Sequence, residues 1–405
     1  MNFETFNFHP SVAAGVAASG FRTPTPIQAR AIPKVFKGRD VMGLAQTGTG
    51  KTAAFVLPIL DRLVERKLGC VRALIIAPTR ELAEQIHLAV ETLGRKTRIR
   101  SVAVYGGVGI NPQIQKLKRS DIVVACPGRL LDHIGRNSID LSQLEILVVD
   151  EADQMLDMGF IPDIRRILKN LPKKRQTLVF SATMPPEIRR LTGDILRDPA
   201  TVQVGQTAPA DTVSHALYPV TQHLKTALLL NLLGNTETRS VLVFTRTKHR
   251  AKNLGRKLVA AGYRSASLQG NLSQTRRQAA LDGFRDGKFQ ILVATDIAAR
   301  GIDVTRISHV INYDIPSTAE AYIHRIGRTG RATHNGEAFT LVTKEDRAMV
   351  QAINRIIGSK VEQRFLSNFD YGSPTPDRKN YSRRIEKSQR NVFGINKRRN
   401  TMKIR

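Results

Sequence analysis

The sequence predicts an α/β protein of two lobes, each a parallel β-sheet flanked by helices, followed by a basic tail. The length of 405 residues exceeds what one compact core usually holds, which favours two domains. Short apolar runs alternate with helical patterns along most of the chain, as is typical of parallel sheets covered by helices. From Asp370 onward apolar residues become sparse and basic residues dominate, which predicts a disordered segment.

Strands of the first lobe are expected where a β-branched or leucine-rich run ends in polar residues, glycine or proline. Five runs meet this description: Val41–Leu44, Ala73–Ala77, Ile122–Ala125, Ile146–Val149 and Thr177–Phe180. Helices are expected where apolar residues recur at helical spacing. Two such stretches are Ala53–Leu63 and Glu81–Leu93.

The stretch Val204–Ser214 has no apolar period and is interpreted as a linker between the lobes. The alternation then resumes, with strands expected at Val241–Phe244, Ile291–Ala294, Val310–Asn312 and Ala338–Val342. The predicted organisation is therefore a first domain over 1–204, a linker over 205–214, a second domain over 215–369 and a tail over 370–405.

The tail carries eleven basic and three acidic residues, interleaved with Tyr371, Tyr381 and Phe393. Aromatic rings among cations can stack on the bases of a single-stranded nucleic acid, so we expect the tail to contact RNA. The alternative is a solvated extension without a ligand.

Charge and composition indicate which class of molecule the protein binds. The formal net charge of +29 favours a polyanionic partner, because neutralisation of phosphates by lysine and arginine drives nucleic-acid affinity. Membrane binding is disfavoured, since no basic amphipathic helix and no run of roughly 20 apolar residues is present. The first ten residues do not resemble a secretory signal, and two cysteines make neither a disulfide framework nor a metal cluster. The expected location is the cytoplasm.

A phosphate-binding loop is predicted between the first strand and the helix that follows it. Gly48 and Gly50 let backbone N–H groups turn toward phosphate oxygens at a helix N-terminus, and Lys51 supplies a positive charge. The hydroxyl of Thr52 is placed to bind Mg²⁺. The first position of the loop, Ala45, departs from the strict pattern, which has glycine there. The residues expected around the phosphates are Gln46, Thr47, Gly48, Thr49, Gly50, Lys51 and Thr52.

Two carboxylates directly follow the strand Ile146–Val149. In folds of this kind, a carboxylate at the carboxyl end of a parallel strand lies beside the phosphate loop. Asp150 is then the Mg²⁺ partner, and Glu151 orients or deprotonates the attacking water. Together with the phosphate loop, this pair predicts Mg²⁺-dependent hydrolysis of a nucleoside triphosphate.

The order of motifs resembles the DEAD-box family of ATP-dependent RNA helicases, which is named after the element Asp150-Glu151-Ala152-Asp153. The match extends from Phe3 to about Phe365 without a large insertion, and it is most similar to the bacterial RNA helicase E branch. The resemblance implies two tandem RecA-like domains. It also implies ATP rather than GTP, with Gln28 reading the adenine edge, Phe21 stacking on the base and Asp303 at the ribose.

The remaining site residues are implied by the same resemblance. Arg328 and Arg331 match arginine fingers that reach the γ-phosphate from the second lobe. Asp153, Ser181, Thr183, His324 and Arg325 match residues that couple ATP to RNA. The implied RNA contacts are Arg80, Gly106, Gly107, Pro127, Gly128, Arg129, Gln274, Arg277 and Thr295. Cys126 departs from the family pattern, which usually has threonine there, so one hydroxyl contact is in doubt.

The implied activity is local separation of short RNA duplexes, or remodelling of RNA–protein complexes, driven by ATP-dependent closure of the lobes on one strand. Because contacts to the backbone carry no sequence information, little sequence preference is expected. Two other interpretations stay open: a DNA-directed translocase of the same superfamily and an ATP-gated RNA clamp. Ribosome assembly and RNA decay are the usual settings of bacterial relatives, and the sequence leaves the oligomeric state and the protein partners open.

Overall fold

The computed structural model describes residues 2–46, 48–204, 213–299, 307–330 and 336–372, apart from the side chains of Gln274 and Ile297. These residues form two α/β lobes, each built on one seven-stranded sheet in which all recorded pairs are parallel. The predicted fold class of two RecA-like domains is confirmed.

The first lobe begins with a short 3-10 helix, Phe3–Phe6, and continues with alternating helices and strands. Its sheet has the strand order β3-β4-β2-β5-β6-β1-β7. The elements are α1 (Pro10–Ala18), α2 (Pro26–Phe36), β1 (Val41–Leu44), α3 (Lys51–Leu63), β2 (Ala73–Ile76), α4 (Arg80–Gly94), β3 (Ser101–Val104), α5 (Ile110–Leu117), β4 (Ile122–Ala125), α6 (Pro127–Gly135), β5 (Ile146–Val149), α7 (Ala152–Asp157), α8 (Ile161–Leu168), β6 (Gln176–Ser181), α9 (Pro186–Ile195) and β7 (Ala200–Gln203).

The second lobe repeats this plan with the strand order β10-β11-β9-β12-β13-β8-β14. Two 3-10 turns, Gln222–Leu224 and Lys344–Asp346, precede helices. The elements are β8 (Val213–Pro219), α10 (Lys225–Asn235), β9 (Val241–Phe244), α11 (Lys248–Ala260), β10 (Ser265–Leu268), α12 (Gln274–Arg285), β11 (Ile291–Ala294), α13 (Asp296–Ala299), β12 (His309–Asn312), α14 (Ala319–Ile326), β13 (Gly336–Val342), α15 (Arg347–Ile357) and β14 (Glu362–Gln363).

All nine strands expected from the sequence are present, with ends that move by at most two residues. The strands that the sequence did not reveal include β3, β7 and β10, which lie at the edges of their sheets. Edge strands are only partly covered, so they need fewer apolar residues and leave a weak hydrophobic pattern.

Two boundaries need correction. Val213 and Ser214, expected in the linker, are the first residues of β8 and pair with Gly336 and Glu337 of β13. Tyr371, expected in the tail, is buried in the second lobe, where its hydroxyl accepts a 3.0 Å hydrogen bond from the N–H of Leu366. The apolar packing of the lobe therefore continues past the predicted boundary. The rest of the linker and residues 373–405, with Tyr381 and Phe393, lie outside the described residues.

Each sheet is buried on both faces, which explains why its central strands are continuously apolar. In the first lobe one apolar cluster lies under α1 to α4 and another under α6 to α9. Phe55 of α3 and Phe180 of β6 meet in the first cluster, with ring centroids 5.3 Å apart. Full burial of a large apolar side chain contributes about 1.5–3 kcal/mol, so these layers hold the strand ends in fixed positions.

Among the helices of the described residues, none is both long and apolar enough to cross a lipid bilayer.

We predict that Gly43→Ala destabilises the first lobe by about 1–3 kcal/mol, because a Cβ in the middle of β1 would collide with the ring of Phe180. Denaturant unfolding measures this change. Gly193→Ala in α9 is the control, because a Cβ there meets nothing within 4 Å. The control should stabilise the helix by up to about 1 kcal/mol. Equal stability of Gly43→Ala and the unchanged protein would contradict this account of the packing.

Candidate active site between the two lobes

The predicted phosphate loop connects the carboxyl end of β1 to the N-terminus of α3. Gly48 and Gly50 have φ angles of 86° and 92°, in the left-handed region that favours glycine. Gly50 also has no room for a side chain, since a Cβ there would lie 2.5 Å from the amide nitrogen of Gln28. The Thr49 hydroxyl donates to the carbonyl of Gln46 at 2.7 Å, which holds the loop. Thr47 lies outside the described residues.

Lys51 occupies the first turn of α3 and is only 5% exposed. Its ammonium is buried and has no hydrogen-bond partner among the residues that the structure describes. A buried charge without a partner is costly, so the position requires a negatively charged ligand. Backbone N–H groups at the start of α3 favour the same kind of ligand.

Asp150 and Glu151 follow β5, two strands away from β1, and both are buried. Burial raises the pKa of Asp150 to about 7, with the positive charge of Lys51 opposing this shift. Glu151 has φ 53° and ψ 51°, a left-handed conformation that costs free energy for a residue with a side chain. Such strain is typical of functional sites, and it turns the chain sharply between Asp150 and α7.

The oxygen atoms near the phosphate loop suit a hard divalent cation whose coordination is completed mainly by a bound nucleotide. Asp150 offers a buried carboxylate and Thr52 a half-buried hydroxyl near the loop, which are oxygen ligands of the kind that Mg²⁺ prefers. No group of three or more His, Cys, Asp or Glu side chains that could hold a metal was found within the described ranges. A magnesium ion here would therefore need phosphate oxygens or water to complete its coordination.

Asp153 links the site to the end of β6. One of its carboxylate oxygens accepts hydrogen bonds from the N–H of Ala182 at 3.2 Å and from the N–H and hydroxyl of Thr183, both at 2.9 Å. The Ser181 hydroxyl accepts from the N–H of Asp153 and donates to the carbonyl of Thr183. The structure thus brings Asp153, Ser181 and Thr183, three of the expected coupling residues, into one hydrogen-bond network.

Gln28 joins the segment before α2 to the phosphate loop. Its amide nitrogen donates to the carbonyl of Gly50 at 3.1 Å, and its amide oxygen accepts from the N–H of Thr25 at 2.9 Å. An amide side chain has a second N–H and a second lone pair, so one donor and one acceptor position are still available to a base. Phe21 is 38% exposed and lies beside Phe3, with ring centroids 5.7 Å apart.

The RNA-contact residues predicted in the first lobe lie together. Arg80 begins α4, and its guanidinium lies so close to Gly107 that a Cβ there would collide with it. Arg129, near the start of α6, donates to the carbonyl of Val108 at 3.1 Å. The start of α6, Pro127 and Gly128, is thereby joined to the loop after Gly106 and Gly107.

The second lobe reaches this site through His324 on α14. Its Nε2 lies 3.9 Å from the Asp153 carboxylate, across the lobe interface. Burial lowers the pKa of His324, while Asp153 opposes this shift and Arg328, Glu151 and Lys51 also act on the ring. Charged groups of both lobes therefore share one electrostatic environment. Arg328 is itself buried, whereas Arg331 and Asp303 lie outside the described residues.

Arg325, unlike His324, is paired with residues of the second lobe. It is 3% exposed and forms a two-point ion pair with Asp296, at 2.6 and 2.7 Å. It also donates to the side chain of Asn312 and to the carbonyl of Asp314. All these partners belong to the second lobe, so Arg325 holds α14 in place rather than reaching the first lobe.

Arg277 of α12 crosses the lobe interface and pairs with Glu81 of α4. Its nitrogens lie 2.8 and 2.6 Å from one Glu81 oxygen, and the side chains are 13% and 5% exposed. No local pattern indicates this pairing of Glu81, because an acidic residue in the first turn of a helix is ordinary. Thr295 follows β11 and is half-buried, and the side chain of Gln274 is not described.

Cys126 lies close enough to Glu81 and Arg80 for their charges to act on its thiol. Burial raises the pKa of its thiol to about 12, with further contributions from Glu81 and, in the opposite direction, Arg80. The thiol therefore stays protonated and contributes no charge where the family usually has a threonine hydroxyl.

Two family models match the chain: DEAD/DEAH box helicase over residues 25–191 and helicase conserved C-terminal domain over residues 224–333. The chain is 43% identical to the ATP-dependent RNA helicase CshA of Limosilactobacillus reuteri over 358 residues, which covers 88% of this chain and 72% of that protein. It is 42% identical to the DEAD-box ATP-dependent RNA helicase RhpA of Helicobacter pylori, covering 89% of this chain and 73% of the relative.

The structure is similar to that of Dbp5 of S. cerevisiae bound to RNA and ADP BeF3. The TM-score is 0.82 at 32% identity, and the match covers 95% of this chain and 99% of the yeast chain.

We predict that Asp153→Ala exposes the backbone of the Ser181–Thr183 segment, because the N–H groups of Ala182 and Thr183 lose their acceptor. Hydrogen exchange of a peptide spanning this segment should become faster, while peptides from α2 should not change. Asp163→Ala is the control, since Asp163 makes only a surface ion pair with Arg166. Unchanged exchange in Asp153→Ala would mean that Asp153 does not hold this segment.

Proposed function

The chain belongs to the DEAD/DEAH box helicase family, and on this basis we propose that it is an ATP-dependent RNA helicase. It binds single-stranded RNA between its two lobes and locally unwinds short duplexes or remodels RNA–protein complexes. ATP hydrolysis resets the lobes after each event.

One observation carries the proposal most directly. The unpartnered ammonium of Lys51 in the first lobe lies in the same electrostatic environment as His324 and Arg328 of the second lobe. A triphosphate at Lys51 therefore interacts with charges from both lobes only when they are closed. This arrangement makes nucleotide binding and lobe closure parts of one equilibrium.

We assign the nucleotide contacts residue by residue. Gln28 reads the adenine edge, Phe21 stacks on the base and Asp303 binds the ribose. Lys51 and the loop Gln46–Thr52 hold the phosphates. The second lobe contributes Arg328 and Arg331, which stabilise the charge on the transferring phosphoryl group.

Thr52 and Asp150 would hold Mg²⁺ together with phosphate oxygens. When bound, the ion supplies neutralisation of phosphate charge. The carboxylate of Glu151, held by its strained backbone at the end of β5, orients the attacking water and accepts its proton. Burial raises the pKa of Asp150, and a bound cation would oppose this shift and keep the carboxylate ionised.

RNA binds along the surface that closure assembles. The first lobe contacts the RNA strand through Arg80, Gly106, Gly107 and the Pro127–Arg129 segment. The second lobe contacts it through Gln274, Arg277 and Thr295. The network of Asp153, Ser181 and Thr183 connects this surface to the nucleotide, with His324 contacting it across the interface. Arg325 supports the coupling indirectly, by fixing the position of α14.

Several finer assignments accompany this proposal. We propose that the chain belongs to the bacterial RNA helicase E branch, which its motifs resemble most, and that it is located in the cytoplasm. The domain limits become 1–204 and 213–372, joined by residues 205–212, with the basic tail after residue 372. Ribosomal precursors and RNA decay complexes are the proposed settings. Copurification of the chain with precursor particles or with a ribonuclease complex would separate these two settings.

An RNA clamp remains the second candidate function, because the buried Arg277–Glu81 pair favours long-lived closure. Slow ATP turnover combined with slow RNA release would indicate the clamp. Separation of short duplexes during turnover would indicate the helicase.

We predict that single-stranded RNA strongly stimulates steady-state ATP hydrolysis and that DNA of the same sequence does not. Lys51→Ala should lower the stimulated rate by about 10²-fold or more, because a positioned charge at the phosphates is lost. Lys96→Ala, an exposed position at the end of α4, is the control and should leave the rate unchanged.

Equal stimulation by DNA would favour the general translocase. Normal turnover of Lys51→Ala would remove the nucleotide assignment, since no other described cation occupies the start of α3.

We predict that Glu81→Gln weakens the coupling between nucleotide and RNA. In the presence of a non-hydrolysable ATP analogue, RNA affinity should fall by roughly 30-fold, because a buried ion pair between the lobes loses one charge at a cost of about 2 kcal/mol. Affinity without nucleotide should change little, since the pair forms only on closure. Fluorescence anisotropy of labelled RNA measures both affinities.

The charge-swapped variant Glu81→Arg with Arg277→Glu tests whether the pair itself is responsible, and it should recover part of the coupling. Asp282→Asn on α12 is the control, because the recorded partners of the Asp282 carboxylate, Gln278 and Arg285, are exposed residues of the same helix. If the swap recovers nothing, Arg277 acts through direct contact with RNA instead.

A further inference from the structure

A second cationic site lies at the far end of the first lobe. Asp40 and Thr177 stand at the amino-terminal ends of β1 and β6, and both line a cavity of about 410 Å³. Lys51 and Asp150 lie at the carboxyl ends of the strands, so this cavity is on the opposite edge of the sheet from the nucleotide site. The cations that line it are Arg165, Lys169, Lys173, Arg175 and Arg197.

The secondary structure explains only part of this cluster. Arg165 and Lys169 lie at the end of α8, where positive charge is stabilised by the helix dipole. Lys173 and Arg175 lie in the connection to β6, where no helix end accounts for them. They are therefore not explained by capping of α8.

The two acidic residues of the cavity are already engaged. Asp40 accepts hydrogen bonds from the N–H groups of Thr177 and Arg197, both at 2.7 Å, which ties β6 and the end of α9 together. Asp194 lies 3.6 Å from a nitrogen of Arg165. Asp40 partly offsets the charge of Arg175, whereas neither carboxylate forms a recorded ion pair with Lys169 or Lys173 in the described part of the chain.

Several basic side chains of the cavity consequently have N–H donors that are not used in recorded hydrogen bonds or ion pairs. The Nε of Arg175 is buried without a hydrogen-bond partner, although its terminal nitrogen donates to the carbonyl of Pro172 at 2.7 Å. Burial lowers the pKa of Arg175, the charge of Arg197 adds to this effect and the charge of Asp40 opposes it. Lys169 and Lys173 are exposed and have no carboxylate within ion-pair distance in the described part of the chain. An anion in the cavity would satisfy the buried donor and relieve the repulsion.

Positive charge continues from the cavity toward the lobe interface. The helix α9 runs from the Ser181–Thr183 segment to the cavity and exposes Arg189 and Arg190 along its length. On the neighbouring helix, Arg166 is also exposed. Exposed arginines of α8 and α9 therefore lie between the Ser181–Thr183 segment and the cavity, with Glu187 and Asp163 among them.

We propose that this cavity binds phosphate groups of the RNA backbone in a segment that extends beyond the groove between the lobes. RNA is the partner that the continuity of the basic surface with the interface favours. The inference rests on the proposed function for the identity of the ligand. It adds an anchoring site that neither ATP hydrolysis nor binding of the strand in the groove requires.

The test compares two RNAs and two matched variants of the full chain. One RNA is a short single strand that only fills the groove, and the other is the same strand extended at each end. The cavity variant is Lys169→Gln with Lys173→Gln. The control variant is Arg95→Gln with Lys96→Gln, which removes the same charge from exposed positions at the end of α4, under the other face of the sheet.

We expect the cavity variant to bind the extended RNA several-fold more weakly than the control does. The slope of log affinity against log salt should also decrease by about 1.4, which corresponds to two single-strand phosphate contacts. Affinity for the short RNA, and its stimulation of ATP hydrolysis, should be the same in all three proteins. Failure of the short RNA to stimulate any of them would count against the proposed function, independently of the cavity.

Identical affinity of the cavity variant and the unchanged protein for the extended RNA would overturn the inference. An equal loss in the control variant would overturn it too, since it would reveal a general effect of charge. Tripolyphosphate serves as a small-anion probe in calorimetry. Binding of tripolyphosphate that depends on Lys169 and Lys173, without any effect on extended RNA, would reassign the cavity to a free phosphorylated ligand.

Discussion

The buried ammonium of Lys51 is the constraint on which the rest of the site depends. A buried ammonium without a hydrogen-bond acceptor is unfavourable, so this position favours the binding of a strongly anionic ligand. The parallel sheet makes the enclosure, because β1 and β5 end at the same edge and bring Lys51 near Asp150 and Glu151. Burial raises the pKa of Asp150 for the same reason. Binding of a triphosphate with a divalent cation would neutralise both groups, so the empty site and the filled site differ greatly in electrostatic free energy.

The contacts between the lobes link binding of an anionic ligand at Lys51 to the closed arrangement of the two lobes. His324 lies 3.9 Å from Asp153, and Arg277 pairs with Glu81, so the two lobes meet at the proposed nucleotide site and at the proposed RNA-binding surface. Asp153 also holds the Ser181–Thr183 segment at the end of β6. A ligand that favours closure at one place therefore favours it at the other, which is the requirement for cooperative binding. Arg325 stays inside the second lobe, and its contribution is to present His324 and Arg328 in a fixed orientation.

The excess of positive charge in the chain is not confined to the groove. Arg189 and Arg190 are exposed on α9, outside the groove. The cavity beside Arg175 is lined by more basic than acidic side chains. Clusters of this kind raise the local concentration of a polyanion and slow its escape, and both effects weaken at high salt. A protein that contacts backbone rather than bases gains affinity from such surfaces without gaining sequence preference.

The sequence by itself determined the two-lobe α/β fold, the phosphate loop and the carboxylates after β5, because continuous apolar strands and glycine-rich turns leave local signatures. It also placed Asp153 with Ser181 and Thr183, through resemblance to a family. Edge strands such as β3 and β10 escaped detection because half-covered strands carry few apolar residues. Only the tertiary structure decided that Glu81 pairs with Arg277, that Arg325 faces its own lobe and that Tyr371 is buried. These facts depend on contacts between side chains that are far apart in the sequence. Glu81 and Arg277 are separated by 196 positions, and no local pattern indicates that they are in contact.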